Sequence, residues 1–262
     1  VLLGGLLVFA ALDAAPRRLL AAEAAKATNP AISKDASAAL MQMGETLGAS
    51  QFSFTTHTIR VHAAPKDEFL HIFHTLNVVV HRPNRLLVEA TGDDGSTKVV
   101  FDGKTAYVLS TTHNKYAKIA VPEGTIEGML KEAVGRLGVD FPLADFLSSA
   151  PNKAFLTGVT AGRVVDTVTI DGMPYLHLFF DRPPGVELEL WLSKTAQSLP
   201  ARLIVTYLAL PGQPNFIAQF SEWNLDIHPA DAEFAFRPPP GAVEVALKPV
   251  GPGAKATPAG GK

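Results

Sequence analysis

Residues 69–121 read FLHIFHTLNVVVHRPNRLLVEATGDDGSTKVVFDGKTAYVLSTTHNKYAKIAV, and their period of two decides the fold. Successive side chains of a strand point to opposite faces, so alternation marks a half-buried strand. In Phe69–His81, Leu70, Ile72, Leu76, Val78 and Val80 share one face, while Phe69, Phe73 and polar residues share the other. In 86–91, Leu86, Val88 and Ala90 oppose Leu87 and Glu89. Segments 99–102, 106–110 and 115–121 are further short strands. Asp93-Asp94-Gly95, Asp102-Gly103-Lys104 and Thr112-His113-Asn114 separate them. Asp, Asn and Gly tolerate the positive φ of tight turns, so these separators predict hairpins and an antiparallel sheet.

On the N-terminal side, the spacing of Ala36, Leu40, Met43 and Leu47 predicts a helix within Asn29–Gly48, with Ser33 as cap and Gly48 as stop. The period of two begins at Gln51. On the C-terminal side, Ile126, Met129, Leu130, Ala133, Val134 and Leu137 form an apolar helical stripe over 125–137 behind a Thr125 cap. A second short helix over 141–149 buries Leu143, Phe146 and Leu147. Strands resume near Phe155 and run through 163–171, 174–181, 186–193, 201–208 and 215–225. Within 187–192, Leu188, Leu190 and Leu192 face one way and Glu187, Glu189 and Trp191 the other.

The expected architecture is thus mainly β: a curved antiparallel sheet of ten or eleven strands with helices inserted between its halves. A sheet this wide must curl. If it curls incompletely, the inserted helices can cover its concave face and enclose an apolar cavity. Candidate lining residues are Leu86, Val88, Leu188, Leu190, Leu192, Leu203 and Val205, with Ile126, Met129, Leu130, Val134 and Leu137 facing them from the cover.

Composition narrows the function. Hydrophobic residues make up 47% of the chain and charged ones 18%, enough apolar surface to exclude global disorder. Twenty-three basic against 25 acidic residues, with no block of one sign, leaves no basic stripe for nucleic acid. Cysteine is absent, which excludes thiol catalysis, disulfides and thiolate metal sites. Within strands, His57/His62 and His71/His74 are separated by odd numbers and point to opposite faces, so no metal site is expected. No nucleophile elbow, zinc-protease motif, phosphate loop or dinucleotide fingerprint occurs, and no cofactor is expected. Asp93, Asp94 and Asp102 are read as turn formers, and Trp191 and Trp223 as strand aromatics. Val1–Leu12 is an apolar run suited to a secretory signal, followed by small-residue cleavage patterns at Ala22–Ala24 and Ala25–Ala27. The expected organisation is a signal segment at 1–27, one domain at 28–247, and a Pro/Gly-rich disordered tail at 248–262.

His81-Arg82-Pro83-Asn84-Arg85-Leu86 followed by Val100-Phe101-Asp102-Gly103-Lys104-Thr105-Ala106-Tyr107 resembles the lipoprotein carrier family LolA. From about Asn29 to Leu247 the chain resembles more closely a family of predicted periplasmic proteins. That likeness is carried by Arg82-Pro83 with Leu86-Leu87-Val88-Glu89, Asn114-Lys115-Tyr116-Ala117, Gly124-Thr125-Ile126 and Ile170-Asp171-Gly172. His177-Leu178, Trp223-Asn224 and Phe234-Ala235-Phe236-Arg237-Pro238-Pro239 extend it. The wider LolA/LolB-like resemblance implies an unclosed β-barrel with a helical lid. It also implies a periplasmic, non-enzymatic role, the carriage of a lipid, acyl chain or lipoprotein. On the same resemblance Arg82 hydrogen-bonds the lid. The chain is expected to be a monomer, with envelope membrane proteins as further partners. Two other readings stay open: an envelope interaction module without ligand, and an enzyme acting on lipid or glycan.

Overall fold

The computed structural model describes residues 32–64, 68–137, 139 and 141–247. The expected signal segment and tail lie outside them. Twelve strands form one sheet: β1 (Gln51–Ala63), β2 (Phe69–His81), β3 (Arg85–Gly92), β4 (Gly95–Phe101), β5 (Thr105–Ser110), β6 (Lys115–Ala120), β7 (Ala161–Ile170), β8 (Met173–Arg182), β9 (Val186–Ser193), β10 (Pro200–Tyr207), β11 (Asn215–Asn224) and β12 (Val243–Glu244). Their hydrogen-bonded order is β12-β6-β5-β4-β3-β2-β1-β11-β10-β9-β8-β7. Every pairing is antiparallel except the two-residue contact of β12 with β6. The sheet is curved and does not close, because β7 and β12 are its free ends.

The hairpins form as the turn chemistry demands. Asp102 Oδ1 accepts from the N–H groups of Lys104 and Thr105, both at 2.8 Å. Gly103 takes φ 92°, a conformation that L side chains rarely adopt. Register then fixes the faces. One inward row runs Phe52, Val80, Leu86, Phe101, Ala106 and Ile119 across β1 to β6, all at most 3% exposed.

Helix α1 (Lys34–Leu47) buries Ala36, Ala39, Leu40, Met43 and Leu47, and Ser33 Oγ caps it through the Ala36 N–H. It lies towards β7 and the β9–β10 loop: Gln42 Nε2 donates to Ala196 O at 2.8 Å and Ser198 Oγ to Ala39 O. The β6–β7 connection carries α2 (Ile126–Leu130), α3 (Ala144–Leu147) and α4 (Pro151–Leu156). These helices and α1 contribute to one core with the inward strand residues.

Three expectations require correction here. The helix expected over 125–137 is α-helical only to Leu130 and continues as a π-helical turn over Lys131–Arg136. A π-turn rotates less per residue than an α-turn, so the 3.6-residue stripe drifts off its face. Val134 is consequently 38% exposed instead of buried. Phe155 belongs to α4 rather than to a strand. Pro151 stands at its first turn, where the missing N–H costs nothing. The strand count is twelve because a chain segment beyond β11 returns to the opposite edge.

That returning segment, 226–244, straps the outer face of the sheet. Phe234 is 1% exposed and lies edge-on to His81, and Phe236 stacks on Tyr107 at 4.5 Å. It explains why Val100 and Leu109, which share the outward face with Tyr107, are buried. Its end pairs with β6, and Ile32 makes a parallel bridge with Gly162 of β7, so both open edges are covered in part. Removing a buried phenylalanine ring costs about 3–5 kcal/mol. Phe234→Ala should therefore lower stability by about 3 kcal/mol in denaturant unfolding; a change below about 0.5 kcal/mol, the scale of an ordinary surface substitution, would show that the strap is not anchored there.

Candidate functional site: the latched concave face

Arg82 follows β2 and turns its guanidinium under the helices. Nη1 donates to Ala49 O at 3.1 Å, just past α1. Nη2 donates to Leu147 O at 3.1 Å and to Ser148 O, at the end of α3. The group also lies over the Phe52 ring, 5.2 Å from its centroid. A planar fork of five donors is suited to several carbonyls at once. Next to it, Ile126 N–H donates to Pro83 O at 2.9 Å, and Glu127 Oε1 accepts from Ser149 N–H at 2.5 Å. The β2–β3 turn therefore holds the start of α2, the end of α3 and the exit of α1 together.

The electrostatics follow. Burial lowers the Arg82 pKa from its ordinary value, and the Glu127 charge opposes that. Burial would raise Glu127, but the hydrogen bonds at Ser149 and the Arg82 charge outweigh it, and the carboxyl ends below its ordinary value.

A second arginine, absent from the sequence expectation, does the same work on the other half. Arg182 ends β8; Nη2 donates to Asp145 Oδ2 at 2.9 Å and to Phe155 O, and its guanidinium lies over the Phe155 ring. Burial raises the Asp145 carboxyl above its ordinary value, against the opposing charge and hydrogen bond of Arg182. The signal was present: Asp181-Arg182-Pro183-Pro184 repeats the strand-then-Arg-Pro arrangement of His81-Arg82-Pro83-Asn84.

Beneath the latches, all seven candidate lining residues face the concave side, in two groups. Leu86 and Val88 stand with Val80 and Val78 of β2, facing Ile126 and Met129 across the core. Leu188, Leu190, Leu192, Leu203 and Val205 stand with Leu178 and Phe180 of β8 and are at most 6% exposed. Rings bridge sheet and helices there: Phe146 meets Phe220 at 5.4 Å and Phe155, which meets Phe180 at 5.3 Å. The first group lies under α2 and the π-turn. Inward-facing Ala90, Val99 and Val108 are only half-buried, as are Leu130, Ala133, Leu137 and Phe141 of the connection above. Two depressions of the surface, about 460 and 540 Å³, open elsewhere. One lies on the outer face around His57, Phe73 and Ile217, the other beneath the strap.

The tryptophans divide. Trp223 packs on Phe54 at 4.6 Å and donates to Pro200 O. Trp191 lies on the outer face, stacked on His177 at 4.0 Å with Arg202 on it, and His177 pairs with Glu189. No helix among the described residues is long and apolar enough to cross a membrane.

An unclosed antiparallel barrel with helices latched over its concave face is the class this geometry defines. The chain belongs to the DUF2092 family of predicted periplasmic proteins, whose model matches residues 36–248. Among solved structures it is similar to an uncharacterized conserved protein of Thermus thermophilus (12% identity, 81% of this chain and 99% of that one, TM-score 0.49). It is also similar to a LolA superfamily protein of Nitrosomonas europaea (12%, 76% and 97%, TM-score 0.39). A third is LprF of Mycobacterium bovis (14%, 76% and 98%, TM-score 0.45). No curated protein matches the sequence.

Losing the Arg82 fork leaves three carbonyls without their donor, and a hydrogen bond to a charged group contributes about 1.5–3 kcal/mol. Arg82→Leu should raise hydrogen-exchange rates across 126–137 and 144–149 by at least about tenfold with the sheet protected, and Arg82→Lys should recover part of the protection. Unchanged exchange would remove Arg82 from the latch.

The two carboxylates carry opposite pH signs. Glu127, lowered in the folded state, contributes stability above its ordinary pKa and loses it as pH falls through the lowered value. Asp145, raised, favours the folded state below its ordinary pKa and loses that contribution as pH rises through the raised value. At neutral pH Glu127→Gln should therefore lower the melting temperature and Asp145→Asn should leave it unchanged or raise it. The reverse order in thermal melts would contradict the assignment.

Proposed function

We propose that the protein is a non-enzymatic periplasmic binding or carrier protein for a lipid or a lipoprotein acyl chain. The acyl chain is held between β2–β5 and the 126–141 connection, with Arg82 and Arg182 as latches. The observation that carries this reading is the asymmetry of cover. In the second half the rings of Phe146, Phe155 and Phe180 bridge sheet and helices, with Val164, Leu176 and Val186 half-buried beside them, whereas the first half lies under α2 and the π-turn, whose Leu130, Ala133 and Leu137 are half-buried. Each methylene moved from water into such a space contributes about 0.8 kcal/mol. About ten of them outweigh association costs of several kcal/mol.

A second reading, an envelope interaction module without ligand, is favoured by the continuous ring packing from Phe146 to Phe180. Binding separates the two. cis-Parinaric acid should gain fluorescence with the wild-type protein and be displaced by lauric acid. Val99→Arg, which places a charge on the half-buried inward face of β4, should reduce that affinity at least about tenfold without unfolding the sheet. No fluorescence gain with wild type would favour the module; equal affinity in the variant would move the ligand elsewhere.

A further inference from the structure

The concave face is not uniformly apolar, and a buried hydroxyl without a partner marks a position along it. Moving along β1 away from the latch, the inward rows change character. Phe52 aligns with Val80, Leu86 and Phe101; Phe54 aligns with Val78, Val88 and Val99. The next row is Thr56, Leu76, Ala90 and Thr97, and the one after it is Thr58, His74, Gly92 and Gly95. Polar side chains thus enter rows that until then are wholly apolar, with Leu76 and Phe220 flanking Thr56 on either side.

Thr56 is 0% exposed and Thr58 is 4% exposed. The Thr56 hydroxyl meets no hydrogen-bond partner among the described residues, whereas His74 Nε2 is paired with Asp94 Oδ1 at 2.6 Å. A buried hydroxyl without a partner penalises the state that contains it. Valine would fill the same volume with better strand preference and no such cost. The Thr56 hydroxyl is therefore a buried donor open to an acceptor that reaches it. Ala90 and Thr97, in the same row, are half-buried, so this row is reached from the first half of the face.

We infer that Thr56 is a specificity residue: it donates its hydroxyl to the carbonyl of an acyl ester. The hydrocarbon chain lies along the Val78–Val88–Val99 and Val80–Leu86–Phe101 rows, and the head group passes Thr58 and His74 towards solvent. This rests on the carrier reading and narrows it to ester-linked acyl lipids over bare hydrocarbons. A buried carboxylate would have to lose its hydration, so the neutral carbonyl is the better match for one neutral donor.

The test is displacement of cis-parinaric acid by methyl laurate and by the alkane of equal length, with wild type, Thr56→Val and Thr56→Ser. Wild type should prefer the ester by about fivefold, the scale of one net hydrogen bond. Thr56→Val should bring the two competitors within about twofold of each other, keep alkane affinity, and raise the ligand-free melting temperature because the unpaired hydroxyl is gone. Thr56→Ser, which keeps the hydroxyl, should retain the ester preference. If Thr56→Val keeps the preference, or weakens ester and alkane equally, the ester-anchor role is overturned while the carrier reading stands. If wild type does not bind the probe and neither competitor has anything to displace, both fall together.

Discussion

Arg82 holds the structure's two layers in one arrangement. The open barrel has a wide concave face of apolar side chains, and such a face is stable in water only when covered. Apart from α1, the cover is built from helices of four to six residues and a π-turn. Helices this short are marginal on their own and take their order from tertiary contacts. A guanidinium that donates to Ala49 O, Leu147 O and Ser148 O, with Pro83 O accepting from Ile126 N–H beside it, supplies those contacts at the junction of four chain segments. The Nε–H groups of Arg82 and Arg182 are buried without a partner among the described residues.

The cover is asymmetric because its two halves are fastened differently. On the β7–β10 side, α1, α4 and the rings of Phe146, Phe155 and Phe180 make a filled core. Gly44 lets α1 approach α4 so closely that a Cβ there would fall 2.7 Å from Asn152. On the β2–β5 side the cover is the α2 segment and the π-turn, with Val134 and Val139 facing outward. The strap adds to this division, since it packs on β3–β6 from the outer face.

Much of this is legible in the sequence, for identifiable reasons. The strands of 69–110 follow from strict alternation with Asp and Gly at the turns. Leu188, Leu190 and Leu192 fall on one face because Glu187, Glu189 and Trp191 take the other. Arg82 is accessible through the likeness of its Arg-Pro-Asn setting. The π-turn is not, because its residues have the apolar spacing of an α-helix and the extra residue per turn comes from packing. Phe155 reads as a strand start because a short apolar run does not distinguish strand from buried helix. The strap escapes because Phe234 and Phe236 stand in Pro-rich irregular sequence, where periodicity carries no signal. Arg182 requires noticing that Arg-Pro recurs after a second strand. Thr56 cannot be singled out at all: an alternating threonine is ordinary in a strand, and only its burial without a partner distinguishes it.

The central claim is that the inner face beneath α2 and the π-turn, rather than the depression on the outer face, receives an acyl chain. Photo-crosslinking with a diazirine-bearing fatty acid, followed by peptide mapping, addresses this directly. The account predicts modified residues on β2–β4 at 78–101 and on the cover at 126–137, lost on competition with unlabelled lipid. Adducts confined to the outer-face residues around His57, Phe73 and Ile217, or labelling that competitor does not reduce, would contradict it.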